Sequence, residues 1–357
     1  MRCLCSAPGK TILMGEHAAV YGRPALVAAV DRRLKAELRA RDRGRVRLRL
    51  PAIGVDEDIP WDAIQDYASR ARRRWRAYVE QPDPEGFDRL LGDDPAHLVK
   101  VALGEAYELV GESSRGIEIL LDSKIPIGAG FGSSAAVSAA ILGGFLALHG
   151  VEISAQELEH ASLEVERRQH GLPSGIDTKT VIRGGLIWAK RDGSGELSAV
   201  DVDLHRASLN EVRIFNSGTP AQSTGEVVAE VRSLRDADPR RFEAILDRME
   251  EATRELRRLL ERPSPQELGE PIRVFEGCLE EIGVVPPRLR KIVREVEAAG
   301  GAAKISGAGA LAGEGAGSLL VYHPDPARLE GCSALAELEA LEVSLGGPGL
   351  RVEERVG

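Results

Sequence analysis

Three separated segments carry residues whose types and spacing suit the handling of a phosphate anion. The first is the stretch 126–136, Pro-Ile-Gly-Ala-Gly-Phe-Gly-Ser-Ser-Ala-Ala. Its glycines at 128, 130 and 132 let the backbone turn successive N–H groups toward one point. An apolar helix is expected to begin near Ser133, adding unpaired N–H groups and the positive end of its dipole. Gly128, Ala129, Gly130, Phe131, Gly132, Ser133 and Ser134 would then cradle the phosphates of ATP. The Ser134 hydroxyl could reach a phosphate-bound Mg²⁺. No Gly-Lys-Ser/Thr follows, so this is not a Walker A loop. A purely structural tight turn is the other reading of the glycines.

The second segment, 7–22, reads Ala-Pro-Gly-Lys-Thr-Ile-Leu-Met-Gly-Glu-His-Ala-Ala-Val-Tyr-Gly. Lys10 is expected in a turn between two strand-like runs. It is a functional cation or an ordinary surface lysine. Glu16 and His17 lie beside an apolar run, as ligands or as a satisfied polar pair of the core. The third segment holds Glu166 and then His-Gly-Leu-Pro-Ser-Gly-Ile-Asp over 170–177. Glu166 falls late on a helix, where a carboxylate opposes the dipole. That placement hints at function, although a solvated glutamate would look the same. Asp177 follows a Ser-Gly turn, where aspartate is also common for local reasons.

The elements that must position these groups are partly readable. Leu34, Ala36, Leu38 and Ala40 alternate with polar residues, as do Val46, Leu48 and Leu50, which predicts strands. Helices are predicted over 61–80, 95–111 and 133–149. Another starts at the Ser154/Glu157 capping box and ends near Gln169. Strands are predicted over 116–122, 185–189, 212–216, 303–306 and 319–323, and helices over 224–236, 239–261, 266–282 and 287–299. Strands mixed with helices, without strict alternation, predict an α+β fold with antiparallel pairing. The polar stretch 191–196 predicts a boundary between an N-terminal domain, 1–190, and a C-terminal domain, 191–357.

Composition narrows the class. Apolar residues make up 43% of the 357, enough for a core, but aromatics are only 4%, so that core must be aliphatic. A formal net charge of −9 disfavours general binding to nucleic acid or anionic membrane. One basic patch runs against this trend: Arg70, Arg72, Arg73, Arg74 and Arg76 interleave with Tyr67, Trp75 and Tyr78. It reads as an RNA-binding surface or as a solvated helix face whose aromatics enter the core. The four cysteines form no C-x-x-C pair, which argues against zinc. Cys3 and Cys5 would share one face of a strand as buried free thiols. No apolar run is long enough to span a bilayer, and residues 1–9 lack the core of a secretory leader. A reducing cytoplasm is the expected location.

Together the three segments resemble the GHMP kinase superfamily, most closely the mevalonate kinases. The resemblance is dense up to about residue 190 and thinner beyond. Ala-Pro-Gly-Lys with Gly-Glu-His resembles the family's first motif, and 126–136 its phosphate loop. The wording of 170–177 is the most specific. The resemblance implies a two-domain GHMP-kinase fold, ATP and Mg²⁺ as cofactors, a homodimer, and a small hydroxylated substrate such as mevalonate. It implies Asp177 as the catalytic carboxylate and Lys10 as the cation facing the transferred group. It also implies Ser134 and Glu166 as Mg²⁺ ligands, with Glu16 and His17 lining the substrate site beside Lys10 and Asp177. Ala18 and Ala19 stand where galactokinase-like proteins carry a sugar-binding Asp. A third motif begins as Lys-Ile-Ser-Gly-Ala-Gly over 304–309, then departs with Ala310 and Glu314 in place of a glycine run. Phosphoryl transfer needs positioning and charge neutralisation, and one cation, one carboxylate, one Mg²⁺ and a nest of N–H groups supply those terms.

Overall fold

The structure is a computed structural model, and it describes residues 1–41, 44–82, 84–111, 115–126, 130–192, 195–203, 209–262 and 267–356. Its strands are β1 (Arg2–Met14), β2 (Ala25–Arg41), β3 (Arg45–Leu50), β4 (Val55–Pro60), β5 (Gly116–Ser123), β6 (Leu186–Arg191), β7 (Leu197–Val202), β8 (Val212–Asn216), β9 (Ala302–Ser306), β10 (Ser318–Tyr322), β11 (Glu339–Leu341) and β12 (Arg351–Val356). The first six helices are α1 (Trp61–Glu80), α2 (Pro84–Leu91), α3 (His97–Val110), α4 (Ser133–His149), α5 (Ala155–His170) and α6 (Ile176–Arg183). The rest are α7 (Thr224–Ala237), α8 (Pro239–Leu260), α9 (Gly269–Glu281), α10 (Pro287–Ala298) and α11 (Ser333–Ala336).

The expected α+β architecture is present. One sheet runs β12-β1-β2-β5-β3-β4, with β6 also pairing β2 and β7 pairing β6. The smaller sheet runs β11-β8-β10-β9. Pairing is antiparallel apart from β3 beside β5. Residue 190 lies near the end of β6, and β7 and β12, both beyond it, return to the larger sheet.

Three local features set the site. First, Lys10 is not in a turn. Pro8-Gly9 produces a register shift against β2, after which β1 continues to Met14. A bulge of this kind bends a strand and re-aims the side chains that follow it. Second, α4 is apolar on all sides and largely buried, as a central helix must be. It packs closely on the larger sheet because Gly144 lacks a Cβ, which would lie 2.5 Å from Leu38 Cδ1. Its N-terminus is thereby held over β1. Third, α5 starts at the predicted capping box: Ser154 Oγ accepts from the Glu157 N–H while the Glu157 carboxylate accepts from the Ser154 N–H.

The aromatic face of α1 turns inward. Trp75 Nε1 donates to Gly171 O at 2.8 Å, and Tyr67 Oη lies 2.9 Å from His97 Nδ1. Arg72 reaches Glu105 and Glu108 on α3. The helix thus braces the 170–175 turn from behind. Cys3, Cys5, Cys278 and Cys332 are free and buried. Among the described residues, no helix is long and apolar enough to cross a membrane.

Candidate active site

The glycine-rich loop and β1 meet at Lys10. The Lys10 N–H donates to Phe131 O at 2.9 Å. Gly132 sits at φ 66°, a left-handed conformation, and a Cβ there would lie 2.8 Å from Lys10 Cγ. Glycine is required on both counts. Ser133 and Ser134 open α4 directly after it, so Gly130, Phe131, Gly132, Ser133 and Ser134 are gathered at one helix N-terminus. Gly128 and Ala129 lie outside the described residues.

The Lys10 ammonium extends to Asp177, with Nζ 3.1 Å from Oδ1. Lys10 is almost wholly buried, whereas the Asp177 side chain is 37% exposed. The aspartate therefore faces open space on one side. It lies in the first turn of α6, a short helix capped by left-handed Gly175, where a carboxylate is favoured by the helix dipole.

Ser134 links this pair to α5. Its hydroxyl donates to Glu166 Oε2 at 2.9 Å, and Ser138 Oγ donates to Glu166 Oε1 at 3.2 Å. Burial pushes the Glu166 carboxyl up to about 7; the Ser134 hydrogen bond opposes that rise and Asp177 adds to it. His170 Nε2 sits 2.9 Å from Ser134 Oγ. Burial among its neighbours holds the imidazole below its ordinary range. His170 was part of the third segment but had no assigned role. The available signal was its spacing of four from Glu166, which puts both on one face of α5.

Ser134 Oγ and Glu166 offer an oxygen-only pair, the donor chemistry Mg²⁺ takes. Among the described residues, no group of three or more His, Cys, Asp or Glu forms a complete metal cage. A partial protein shell is the usual arrangement when substrate phosphates and waters complete the coordination of Mg²⁺. The residues present fit the ion.

Glu16 and His17 lie just past the end of β1 at Met14. His17 Nε2 is 2.9 Å from Ala308 O in the third glycine-containing loop. Burial lowers the basicity of its imidazole. The Glu16 side chain is 1% exposed and takes a hydrogen bond from Lys304 Nζ at 2.5 Å. The interruption at Glu314 does not reach this cluster: its side chain is 82% exposed and turns toward Arg288. Lys304 also lacked a role at the sequence level. A lysine inside β9, between Ala303 and Ile305 in an otherwise uncharged strand, is the sign that could have found it.

Residues 97–185 match the GHMP kinases N terminal domain and residues 256–312 match the GHMP kinases C terminal family. Over these two stretches the chain is similar to the GHMP kinases. It is 29% identical over 369 residues to the mevalonate kinase of Thermococcus gammatolerans, covering 99% of each. Among solved structures it is similar to Methanococcus jannaschii mevalonate kinase, with a TM-score of 0.74 at 19% identity over 99% of both chains. It is also similar to Lactococcus lactis galactokinase complexed with galactose, with a TM-score of 0.70 at 19% identity, covering 99% of this chain and 95% of that one. Likeness at this level speaks for the fold alone.

Proposed function

We propose that this GHMP-family phosphotransferase moves the γ-phosphoryl group of ATP to the C5 hydroxyl of mevalonate, giving 5-phosphomevalonate and ADP. The observation that carries the reading is the convergence of the Lys10–Asp177 pair on the Ser134–Glu166 pair at the start of α4. Residues 128–134 would hold the phosphates through backbone N–H groups. The acceptor hydroxyl would lie between Lys10 and Asp177, with His17 on the far wall of its site and the enclosed Glu16 behind it. Asp177 would orient the hydroxyl and take its proton. Lys10 would stabilise the negative charge shared by the attacking and transferred oxygens. Ser134 and Glu166 would hold Mg²⁺, which supplies neutralisation of the phosphate charge as transfer proceeds.

Mevalonate is favoured over a sugar by the wording of 170–177 and by Ala18 and Ala19 after Gly-Glu-His. The likeness to the Thermococcus protein along the whole chain points the same way. The proposal includes a homodimer in a reducing cytoplasm, in keeping with four free buried thiols. It also includes two functional units divided near residue 190, with the two family matches on either side. A coupled ADP-release assay over mevalonate, 5-phosphomevalonate, galactose and homoserine tests the substrate. Mevalonate should give the highest kcat/KM by at least tenfold, with a phosphomonoester at C5 seen by phosphorus NMR. A higher value for galactose or 5-phosphomevalonate would overturn the assignment.

A further inference from the structure

His17 is the one residue other than glycine with positive φ among the described residues, at φ 57° and ψ −46°. The Ala18 N–H donates to Glu16 O at 2.6 Å. Residues 16–18 therefore form a γ-turn of the rarer, strained hand, with His17 at its centre. Such a conformation persists only when the surroundings over-determine it.

Those surroundings come from 288 residues away in the chain. Lys304 Nζ donates to Glu16 Oε1 at 2.5 Å and to Ile305 O at 2.7 Å. At the apex of the turn, the His17 ring meets Ala308 O. Thr11 Oγ1 and Ser306 Oγ lie 3.1 Å apart, and Ser306 Oγ donates to Ile12 O at 2.9 Å. Behind β9, Glu276 Oε2 accepts from the Ile305 N–H at 3.1 Å. Neither end of the Lys304–Glu16 pair is open to solvent. A fully enclosed ion pair is a poor source of stability but a directional one.

We infer that Lys304 and Glu16 form a positioning clamp that holds the strained 16–18 turn and so presents His17 to the alcohol acceptor, with Glu16 acting through Lys304 rather than by touching the acceptor. The inference rests on the proposed acceptor site beside His17. Lys10, Asp177 and the phosphate loop do not depend on the clamp, since they are held by α4, α6 and the Phe131 carbonyl. Loss of the clamp therefore acts on acceptor binding and leaves ATP binding in place.

The test is a double-mutant cycle with Glu16→Gln, Lys304→Met and both together. KM for acceptor and for ATP are measured separately, with acceptor affinity also taken by calorimetry in the presence of a non-hydrolysable ATP analogue. Each single variant should raise the acceptor KM about tenfold or more and leave the ATP KM within about twofold. The two residues act through one contact, so the double variant should equal Glu16→Gln within about twofold. Lys304→Met alone leaves a buried carboxylate without its partner and can fail to fold. The comparison of the double variant with Glu16→Gln still decides the matter, because neither carries that charge. Losses that multiply in the double variant would mean that Glu16 contacts the acceptor itself and would overturn the clamp. So would a parallel rise in ATP KM, which marks general loosening. A wild-type protein inactive on mevalonate overturns the substrate reading alone, and the cycle is then run on the alcohol it does turn over.

Discussion

Lys10 on β1 and Lys304 on β9 are both buried lysines, and each reaches one carboxylate, but their partners differ. Asp177 is more than a third exposed, so the Lys10 pair has an open side on which a third group can sit. Glu16 is enclosed, and the Lys304 pair is spent within the protein. The first arrangement can act on charge that develops in a ligand. The second fixes where two segments stand relative to each other. Residue type alone does not separate these roles; the exposure of the acidic partner does.

The open pair should give the largest effects. Asp177→Asn keeps shape but removes the negative charge and the capacity to take a proton. A well-placed base contributes about 10²–10⁴-fold, and kcat should fall within that range. The melting temperature should change little, because the side chain is partly solvated. Lys10→Met should lower kcat more than it weakens ATP binding, since its charge matters most during transfer. The two groups act on one hydroxyl, so Lys10→Met/Asp177→Asn should lose less than the product of the single losses. Steady-state kinetics on the four proteins decides this. Near-normal kcat in Asp177→Asn would place the chemistry elsewhere.

A smaller, metal-linked effect is expected one layer back from the open pair. Ser134→Ala and Glu166→Gln should each shift the Mg²⁺ titration of activity to higher concentration, by roughly tenfold, and lower kcat with folding intact. Loss of one or two oxygen ligands weakens a hard cation that has few protein ligands to begin with. Superimposable Mg²⁺ titrations for both variants and wild type would remove these residues from the metal site. The comparison would then reduce to the Lys10–Asp177 pair alone.

Legibility in the sequence followed the range of the interaction. The cap of α5 and the apolar helix α4 depend on residues three or four apart, so they could be read directly. The same holds for the gathering of Gly130, Gly132 and Ser134 at one helix end. The sequence places Lys10 in a turn because Pro8-Gly9 is a turn signal; pairing with β2 before and after the register shift carries the strand through it. Asp177 was read in a turn because α6 has only eight residues after a glycine cap, too few for a periodic signal. The sequence leaves Glu16 open between ligand and core pair. Its partner, Lys304, comes from 288 residues further along the chain, a distance no local pattern encodes. The return of β12 to the larger sheet is invisible in the sequence for the same reason.

The smallest expected effect belongs to the closed region and concerns stability rather than rate. Glu276 is fully buried behind Lys304, and its Oε1 has no hydrogen-bond partner among the described residues. Burial pushes its carboxyl up to about 8; Lys304 and the Ile305 N–H oppose the rise, while Glu280 and Glu16 add to it. An unfolded glutamate titrates near 4.5. The folded state thus holds the proton more tightly than the unfolded state. The stability from this group is fully present below pH 4.5 and is lost as pH rises through about 8. Glu276→Gln keeps a neutral side chain that can still accept from the Ile305 N–H, so its stability should lack this slope. Melting curves of both proteins between pH 5 and pH 9 should diverge, with wild type falling further, by a few degrees at the alkaline end. In a chain of this size 1 kcal/mol moves Tm by roughly 2 °C. Parallel curves would mean that Glu276 is already ionised near neutrality. Lys304 would then face two carboxylates, and the closed region would be a charged triad rather than one ion pair backed by a neutral acid.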